Sequence, residues 1–311
     1  MPDESVLTVP QELLILGAAV QSGIINALHD GAKSCTDLVS KLGADYRATE
    51  VVLEALVALG YLDKQSNRYT LTDDASNMLY NSSAPNYSGF AFMHRYNLVR
   101  SWVHLPEIIL SGKPHVADRG PERTAYFMAA MRHVAQRSAP AMAEFLMSGA
   151  GPGARVLDIG GGPLINAKAF TERGARVTVL DLPDVVEFMN AESKSFGIEM
   201  IPGDFNEGLP PGPFELAYLG NICHIFGEDE NRKLFKKVHD VLVPGGRIAI
   251  VDFIRGTGPV AAVFGVNMLV NTRNGGTWTL AQYTEWLEAA GFSDTELNKA
   301  AERQVVTATK S

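Results

Sequence analysis

The spacing of apolar positions changes partway along the chain. Up to residue 147 it has mostly helical period. From residue 155 short apolar runs of strand type alternate with helical stretches. Residues 10–29 carry Leu13, Leu14, Leu16, Ala19, Val20, Ile24, Ile25 and Leu28 around most of a helical surface. That predicts one helix buried in the fold or against another subunit. Further helices are expected over 36–42 and 47–59, the second stopped by Gly60 as a C-cap would stop it. Polar residues 63–67, flanked by 61–62 and 68–71, predict a hairpin. Three helices and a hairpin make a winged helix. Residues 88–147 read as helical, broken at Pro106, at 111–114 and at Gly120-Pro121. The methionines and aromatics of 122–147 read first as core, although methionine also suits a pocket for a flat ligand.

Beyond the glycine-rich stretch 149–153, strands are expected at 155–159, 175–180, 199–201, 214–219 and 247–253. Helices lie between them, including 229–242, halted by Pro244-Gly245-Gly246, and 280–291 near the end. Regular alternation of strand and helix predicts an α/β domain with a parallel sheet. The 311 residues suffice for two domains at about 100–200 residues each. We divide them as 1–97, a winged-helix unit, and 98–311, an α/β unit whose first part, 98–150, is a helical linker and pocket region.

Charge narrows the role of the winged helix. Residues 1–80 hold five Lys and Arg against eleven Asp and Glu, and the whole chain is −8. The would-be recognition helix sets Arg47 against Glu50 and Glu54. DNA binding rests on neutralising phosphates with Lys and Arg, so nucleic acid is not an expected partner and the unit reads as a packing or dimerisation module. No apolar run approaches the ~18 residues of a membrane span, and the acidic start MPDESVLTVP does not read as a signal peptide. Cys35 and Cys223 fall in different domains, so no disulfide framework is expected and the reducing cytoplasm is the expected setting.

The candidate chemistry lies where strands end. The run Ala154-Arg-Val-Leu-Asp158-Ile-Gly160-Gly161-Gly162-Pro163 ends a strand in an acid and three glycines. The next strand ends in Asp181, and the third is followed by Asp204. Ligands of such sheets bind at the carboxyl ends of the strands, and glycine lets backbone approach them closely. The dinucleotide fingerprint G-x-G-x-x-G fits Gly160 and Gly162 but fails at Ile165. Acid, glycines, then a second acid fit S-adenosylmethionine (SAM) better. Asp181 would accept from the ribose hydroxyls, with Leu182 beside it, and Asp204 and Phe205 would hold the adenine. Any one acid could simply cap a turn; three in register make that reading weak. After the fourth strand come Asn221, on the cofactor edge, and His224. Asp252 ends the fifth strand and could orient the imidazole, the arrangement expected for deprotonating a substrate hydroxyl. No metal is expected.

The words VLDIGGG, VTVLDLP, PGDF, NICHIF, LVPGGRIAIVDF and NMLVNT, in this order, make the C-terminal half resemble SAM-dependent O-methyltransferases of the caffeic acid and hydroxyindole type, bacterial small-molecule members above all. The N-terminal part resembles that family's dimerisation domain, so the likeness covers nearly the whole chain. It implies a class I methyltransferase, Rossmann-like seven-stranded sheet with helices on both faces. It further implies an interlocked homodimer, SAM as cofactor, S-adenosylhomocysteine as product, and His224 as the catalytic base. Candidate acceptor-binding residues are Met128, Met131, His133, Asn267, Met268, Asn271 and Trp278. The chain departs from the family at Leu164, where a further glycine is usual, at Ile225-Phe226, usually Asp-Trp, and at Thr277-Trp278-Thr279, where plant members carry an acid. The expected function is methyl transfer to the hydroxyl of a small aromatic metabolite. Two readings compete: a SAM-binding enzyme doing hydroxylation or pericyclic chemistry, and a ligand-sensing winged-helix regulator.

Overall fold

The computed structural model describes residues 10–115 and 121–311. The chain divides into two units, Met1–Arg100 with Arg119–Ala130, and Ser101–Asp118 with Met131–Ser311. The first is mostly helical: α1 (Gln11–Gln21), α2 (Ile24–His29), β1 (Lys33–Ser34), α3 (Cys35–Leu42), α4 (Tyr46–Ala58), β2 (Leu62–Gln65), β3 (Arg68–Leu71), α5 (Asp73–Tyr80) and α6 (Ala91–Trp102). The strands form a small antiparallel sheet in the order β1-β3-β2. Local chemistry sets the helix starts. Ser34 and Asp37 cap α3 reciprocally, and the side chains of Asp45 and Thr72 accept the free N–H groups opening α4 and α5. Leu16, Leu28, Leu38, Leu53 and Leu56 bury together with Tyr69.

Two readings change here. The single helix expected over 10–29 is two, because Gly23 takes a left-handed φ of +84° that no helix interior allows. A helix not foreseen, α5, follows the hairpin. Its signal was Thr72 ahead of Asp73 and Asp74, an N-cap with acids in the first turn.

Next in the chain come α7 (Leu105–Ser111), α8 (Pro121–Gln136), whose residues to Ala130 belong to the first unit, α9 (Ala139–Met147), β4 (Arg155–Ile159), α10 (Ile165–Glu172), β5 (Arg176–Asp181), α11 (Pro183–Ser195), β6 (Glu199–Pro202) and β7 (Phe214–Gly220). A 3₁₀ turn (Cys223–Ile225) follows. Then come α12 (Glu228–Val241), β8 (Leu242–Asp252), α13 (Pro259–Asn271), α14 (Leu280–Ala289), β9 (Phe292–Ala300) and β10 (Arg303–Lys310). Pro106 and Pro121 stand in the first turns of α7 and α8, where a missing N–H costs nothing, so they begin helices rather than break them. Residues 116–120, with Gly120, lie outside the described residues. The helix expected to run to 242 ends at Val241. The two glycines that follow it lie inside β8, at an irregularity in its pairing with β7.

The sheet has seven strands in the order β6-β5-β4-β7-β8-β10-β9, the first five parallel and β10 antiparallel to both its neighbours. Helices cover it on both faces, so its central strands are near-continuous apolar runs. On one side Phe235 of α12 and Tyr283, Trp286 and Leu287 of α14 join the buried core. Elsewhere Phe170 of α10 meets Tyr218 of β7 edge-on, ring centroids 5.3 Å apart. Each fully buried side chain of this size contributes about 1.5–3 kcal/mol. The parallel register then aligns the ends of β4, β5, β7 and β8 on one edge.

Candidate active site

All the acids expected at strand ends meet that edge. Asp158 on β4 is buried at 1% exposure, and its Oδ2 has no hydrogen-bond partner. Burial, helped by the negative charge of Asp181, pushes its carboxyl up to about 8. The glycine loop is packed tightly around it. A Cβ on Gly161 would fall 2.7 Å from Asp158 Oδ2, and one on Gly160 would fall 2.4 Å from Ile222 Cδ1. Gly161 is therefore required by its close contacts, and Gly160 by its left-handed φ of +69°. Leu164 closes the loop as N-cap of α10, fully buried, with a left-handed φ of +62°.

Asp181 ends β5. Its Oδ2 accepts from Gly162 N at 2.8 Å and its Oδ1 from Leu182 N at 2.8 Å. Burial raises its carboxyl above the ordinary value against the pull of those two N–H groups. Asp204, half-buried after β6, accepts from Asn206 N and Nδ2 at 2.8 and 2.9 Å. Phe205 meets Phe226 edge-on at 5.3 Å, and its carbonyl accepts from Lys237 Nζ at 3.1 Å. Asn221 follows β7 with φ +60°, and its Oδ1 accepts from Arg303 at 2.5 Å. Arg303 was not foreseen; nothing in its local pattern distinguishes it.

His224 sits in the 3₁₀ turn after β7, 6% exposed. Asp252 ends β8, 3% exposed, and holds it twice: Oδ2 accepts from His224 N at 3.0 Å, and Oδ1 lies 2.6 Å from Nδ1. Oδ1 also accepts from Phe253 N at 2.8 Å. A carboxylate at Nδ1 places the ring proton there and leaves Nε2 as the acceptor. Among the described residues, no hydrogen bond reaches Nε2. Phe264 of α13 meets the imidazole edge-on at 4.9 Å and stacks on Phe253 at 3.9 Å. Phe264 was not foreseen, because no helix was expected over 259–271, and Phe253 was read only as the end of a strand.

The acceptor candidates are placed unevenly. Asn267, Met268 and Asn271 share the stripe of α13 that carries Phe264, at intervals of three, four and seven residues. Asn267 Oδ1 accepts from Trp102 Nε1 at 3.1 Å and from Asn271 Nδ2 at 3.0 Å. Trp278 donates its indole N–H to Cys223 O at 3.1 Å. Met131 and His133 are half-buried on α8, and Met128, on the same helix but in the first unit, is buried at 7%.

A sheet of this topology with acids and a glycine loop on its carboxyl edge defines the class I methyltransferase architecture. The similarity of the chain to known proteins agrees. A model of the O-methyltransferase domain matches residues 111–293, and one of the O-methyltransferase dimerisation domain matches residues 14–81. The chain belongs to this family of O-methyltransferases. A curated relative is the 3-hydroxy-5-methyl-1-naphthoate 3-O-methyltransferase of Streptomyces sahachiroi, 28% identical over 298 residues, 90% of this chain and 85% of that one. Among solved structures, the mitomycin 7-O-methyltransferase MmcR is 20% identical with a TM-score of 0.78, covering 99% of this chain and 96% of the other. Human N-acetylserotonin methyltransferase in complex with SAM is 24% identical with a TM-score of 0.73, covering 96% and 94%. Both show the same fold. No described helix is long and apolar enough to cross a membrane.

Proposed function

We propose that this enzyme transfers a methyl group from SAM to the hydroxyl of a small, largely apolar aromatic compound, with His224 as general base and Asp252 as its anchor. The observation that carries the reading is the His224–Asp252 pair: an imidazole held at Nδ1 at 2.6 Å with Nε2 unpaired, on the same sheet edge as the acid series. The residues present fit the cofactor. Asp158 keeps an unpartnered buried oxygen. Each oxygen of Asp181 takes one backbone N–H and can accept another donor, here a ribose hydroxyl. Asp158, Gly160, Gly161, Gly162, Asp181, Leu182, Asp204, Phe205 and Asn221 would hold SAM.

When bound, SAM supplies a methyl group on a sulfonium centre, and S-adenosylhomocysteine is the product. The chain supplies the rest. An unperturbed phenol has a pKa of ~10, so at neutral pH its proton must be taken. Nε2 of His224 accepts that proton, and the carboxylate of Asp252 stabilises the imidazolium that results. A base so placed is worth ~10²–10⁴ in rate, and holding the reactants in line is worth ~7–11 kcal/mol. Met131, His133, Asn267, Met268 and Asn271 would line the acceptor pocket. An aromatic acceptor accords with the hydroxynaphthoate of the curated relative.

Residues 1–97 would serve as the dimerisation module and 98–311 as the catalytic one. The match to a dimerisation domain supports the first role. Both cysteines are free and buried, which suits a cytoplasmic enzyme. Sedimentation should show a homodimer; a monomer at micromolar concentration would overturn that role. The activity is tested with SAM and 3-hydroxy-2-naphthoate as probe acceptor, alongside calorimetry with S-adenosylhomocysteine. A product gaining one methyl supports the reading. Failure to bind S-adenosylhomocysteine, or a product gaining oxygen instead of methyl, would defeat it.

A further inference from the structure

The turn that carries His224 is held from behind by groups with no evident part in the chemistry. Asn231 on α12 is fully buried, and its Nδ2, whose two N–H bonds are shared among them, lies within hydrogen-bond distance of three carbonyls: Cys223 O at 2.9 Å, Phe226 O at 3.1 Å and Gly227 O at 2.9 Å. The indole N–H of Trp278 donates to the same Cys223 carbonyl at 3.1 Å. Gly276 N donates to His224 O at 2.9 Å. A Cβ on Gly275 would stand 2.4 Å from His224 O and 2.7 Å from Ile225 O, so backbone presses directly on the turn there.

The contact to Gly227, four residues back, is one that any polar residue in a first helical turn could make. The other two reach outside α12 to the turn itself. Trp278 likewise faces inward, its ring edge-on to the buried Trp286 at 5.3 Å. A 3₁₀ turn of three residues satisfies few of its own carbonyls. Here external donors fill them, and each donor also fixes where the backbone of residues 223–227 lies. Asp252 fixes the imidazole from its other side.

We propose that Asn231 and Trp278 are positioning residues that clamp the Cys223–Gly227 segment from its carbonyl side, so that the His224 imidazole is delivered to Asp252 and its Nε2 to the acceptor hydroxyl. The proposal rests on the reading of His224 as base and assigns Trp278 a role behind the turn rather than against substrate. Its physical basis is precision: a displacement of ~1 Å from a change remote from the chemistry can cost ~10²-fold in rate.

The test reads the His224–Asp252 contact itself and needs no acceptor. In the full-length protein with bound S-adenosylhomocysteine, the Nδ1 proton shared at this distance should give a far-downfield NMR signal, assigned by its loss in His224→Asn. Trp278→Phe keeps the ring and removes the N–H; Asn231→Ala removes the three-way donor. Each should lose that signal or move it upfield, while S-adenosylhomocysteine affinity stays within about twofold by calorimetry and the variant melts cooperatively. A purely structural role would lower the melting temperature and leave the signal in place. If Asn231→Ala does not fold, Trp278→Phe decides alone. A signal unchanged in every folded variant overturns the proposal. A signal lost in the variants, combined with undiminished turnover in His224→Asn, would leave the clamp standing and defeat the base.

Discussion

Two aspartates end strands of the same sheet, Asp158 on β4 and Asp252 on β8, and both are almost fully buried at 1% and 3%. Their surroundings are opposite. Asp252 receives the N–H groups of His224 and Phe253 and lies against the imidazole. Asp158 keeps an oxygen with no partner and has Asp181 as charged neighbour. A buried carboxylate is expensive unless donors satisfy it. The side of the site that would handle the acceptor proton is therefore complete in the protein alone. The side that would hold the cofactor carries a deficit that a ligand can relieve. Preorganisation favours the base, because a proton acceptor must be aimed before the substrate arrives. Incompleteness favours the cofactor side, because only groups left unpaired have binding energy still to give.

The sharpest way to break the comparison is to remove the proposed base. His224→Asn should lower turnover by ~10²–10⁴ while leaving S-adenosylhomocysteine affinity nearly unchanged. The loss should shrink at high pH, where a phenol ionises unaided. Turnover with 3-hydroxy-2-naphthoate across pH checks this. A loss of only a fewfold at every pH would mean that His224 positions the acceptor and that alignment alone carries the rate.

The Asp158 deficit makes a prediction about stability without ligand. Its carboxyl is raised from 3.8 to about 8 in the folded protein, burial first and Asp181 second. Between those values the folded state holds a proton that the unfolded chain has released. Stability must then fall as pH rises from about 4 to about 8, and level off beyond. For a shift of this size the loss is on the order of a few kcal/mol. Asp158→Asn removes the titrating group, so the ligand-free variant should lose much of this slope and be the more stable protein at pH 8. Thermal melts of both proteins at pH 5 and pH 8 decide. An equal slope in the two would place the pH dependence elsewhere.

The two sides also differed in how far the sequence disclosed them. The acids of the cofactor side were visible because each closes or follows a short apolar run of strand type, and a parallel sheet brings such ends together whatever the details of packing. His224 and Asp252 were visible for the same reason. What surrounds them was not. Phe264 lies on α13, a helix apolar on most sides that carries no distinctive period, and its meeting with His224 depends on tertiary packing. Asn231 reads as an ordinary polar residue near a helix start until three carbonyls are seen around it. Arg303 reaches Asn221 across eighty-two positions of sequence. The division of 10–29 turned on one left-handed glycine, which leaves no trace in hydrophobic pattern.

The smallest of the expected effects falls on Asp181, and it probes whether one carboxylate can serve both protein and ligand. Its two oxygens already accept from Gly162 N and Leu182 N, so the side chain ties the glycine loop to the end of β5 before any cofactor arrives. Hydrogen bonds to a charged group contribute ~1.5–3 kcal/mol. Asp181→Ala should therefore weaken S-adenosylhomocysteine binding about 10- to 100-fold. Asp181→Asn separates the carboxylate's charge from its shape. An amide has one acceptor oxygen, and its NH₂ would be turned against the N–H of either Gly162 or Leu182. The near-isosteric change should thus weaken binding at least as much as truncation, because it sets donor against donor inside the loop. Calorimetry on both variants reads the difference. Undiminished binding in Asp181→Ala would remove Asp181 from the cofactor site. Weak binding in Asp181→Ala with near-normal binding in Asp181→Asn would show that the loop relaxes around the amide, and that the ribose contact outweighs the tie to Gly162.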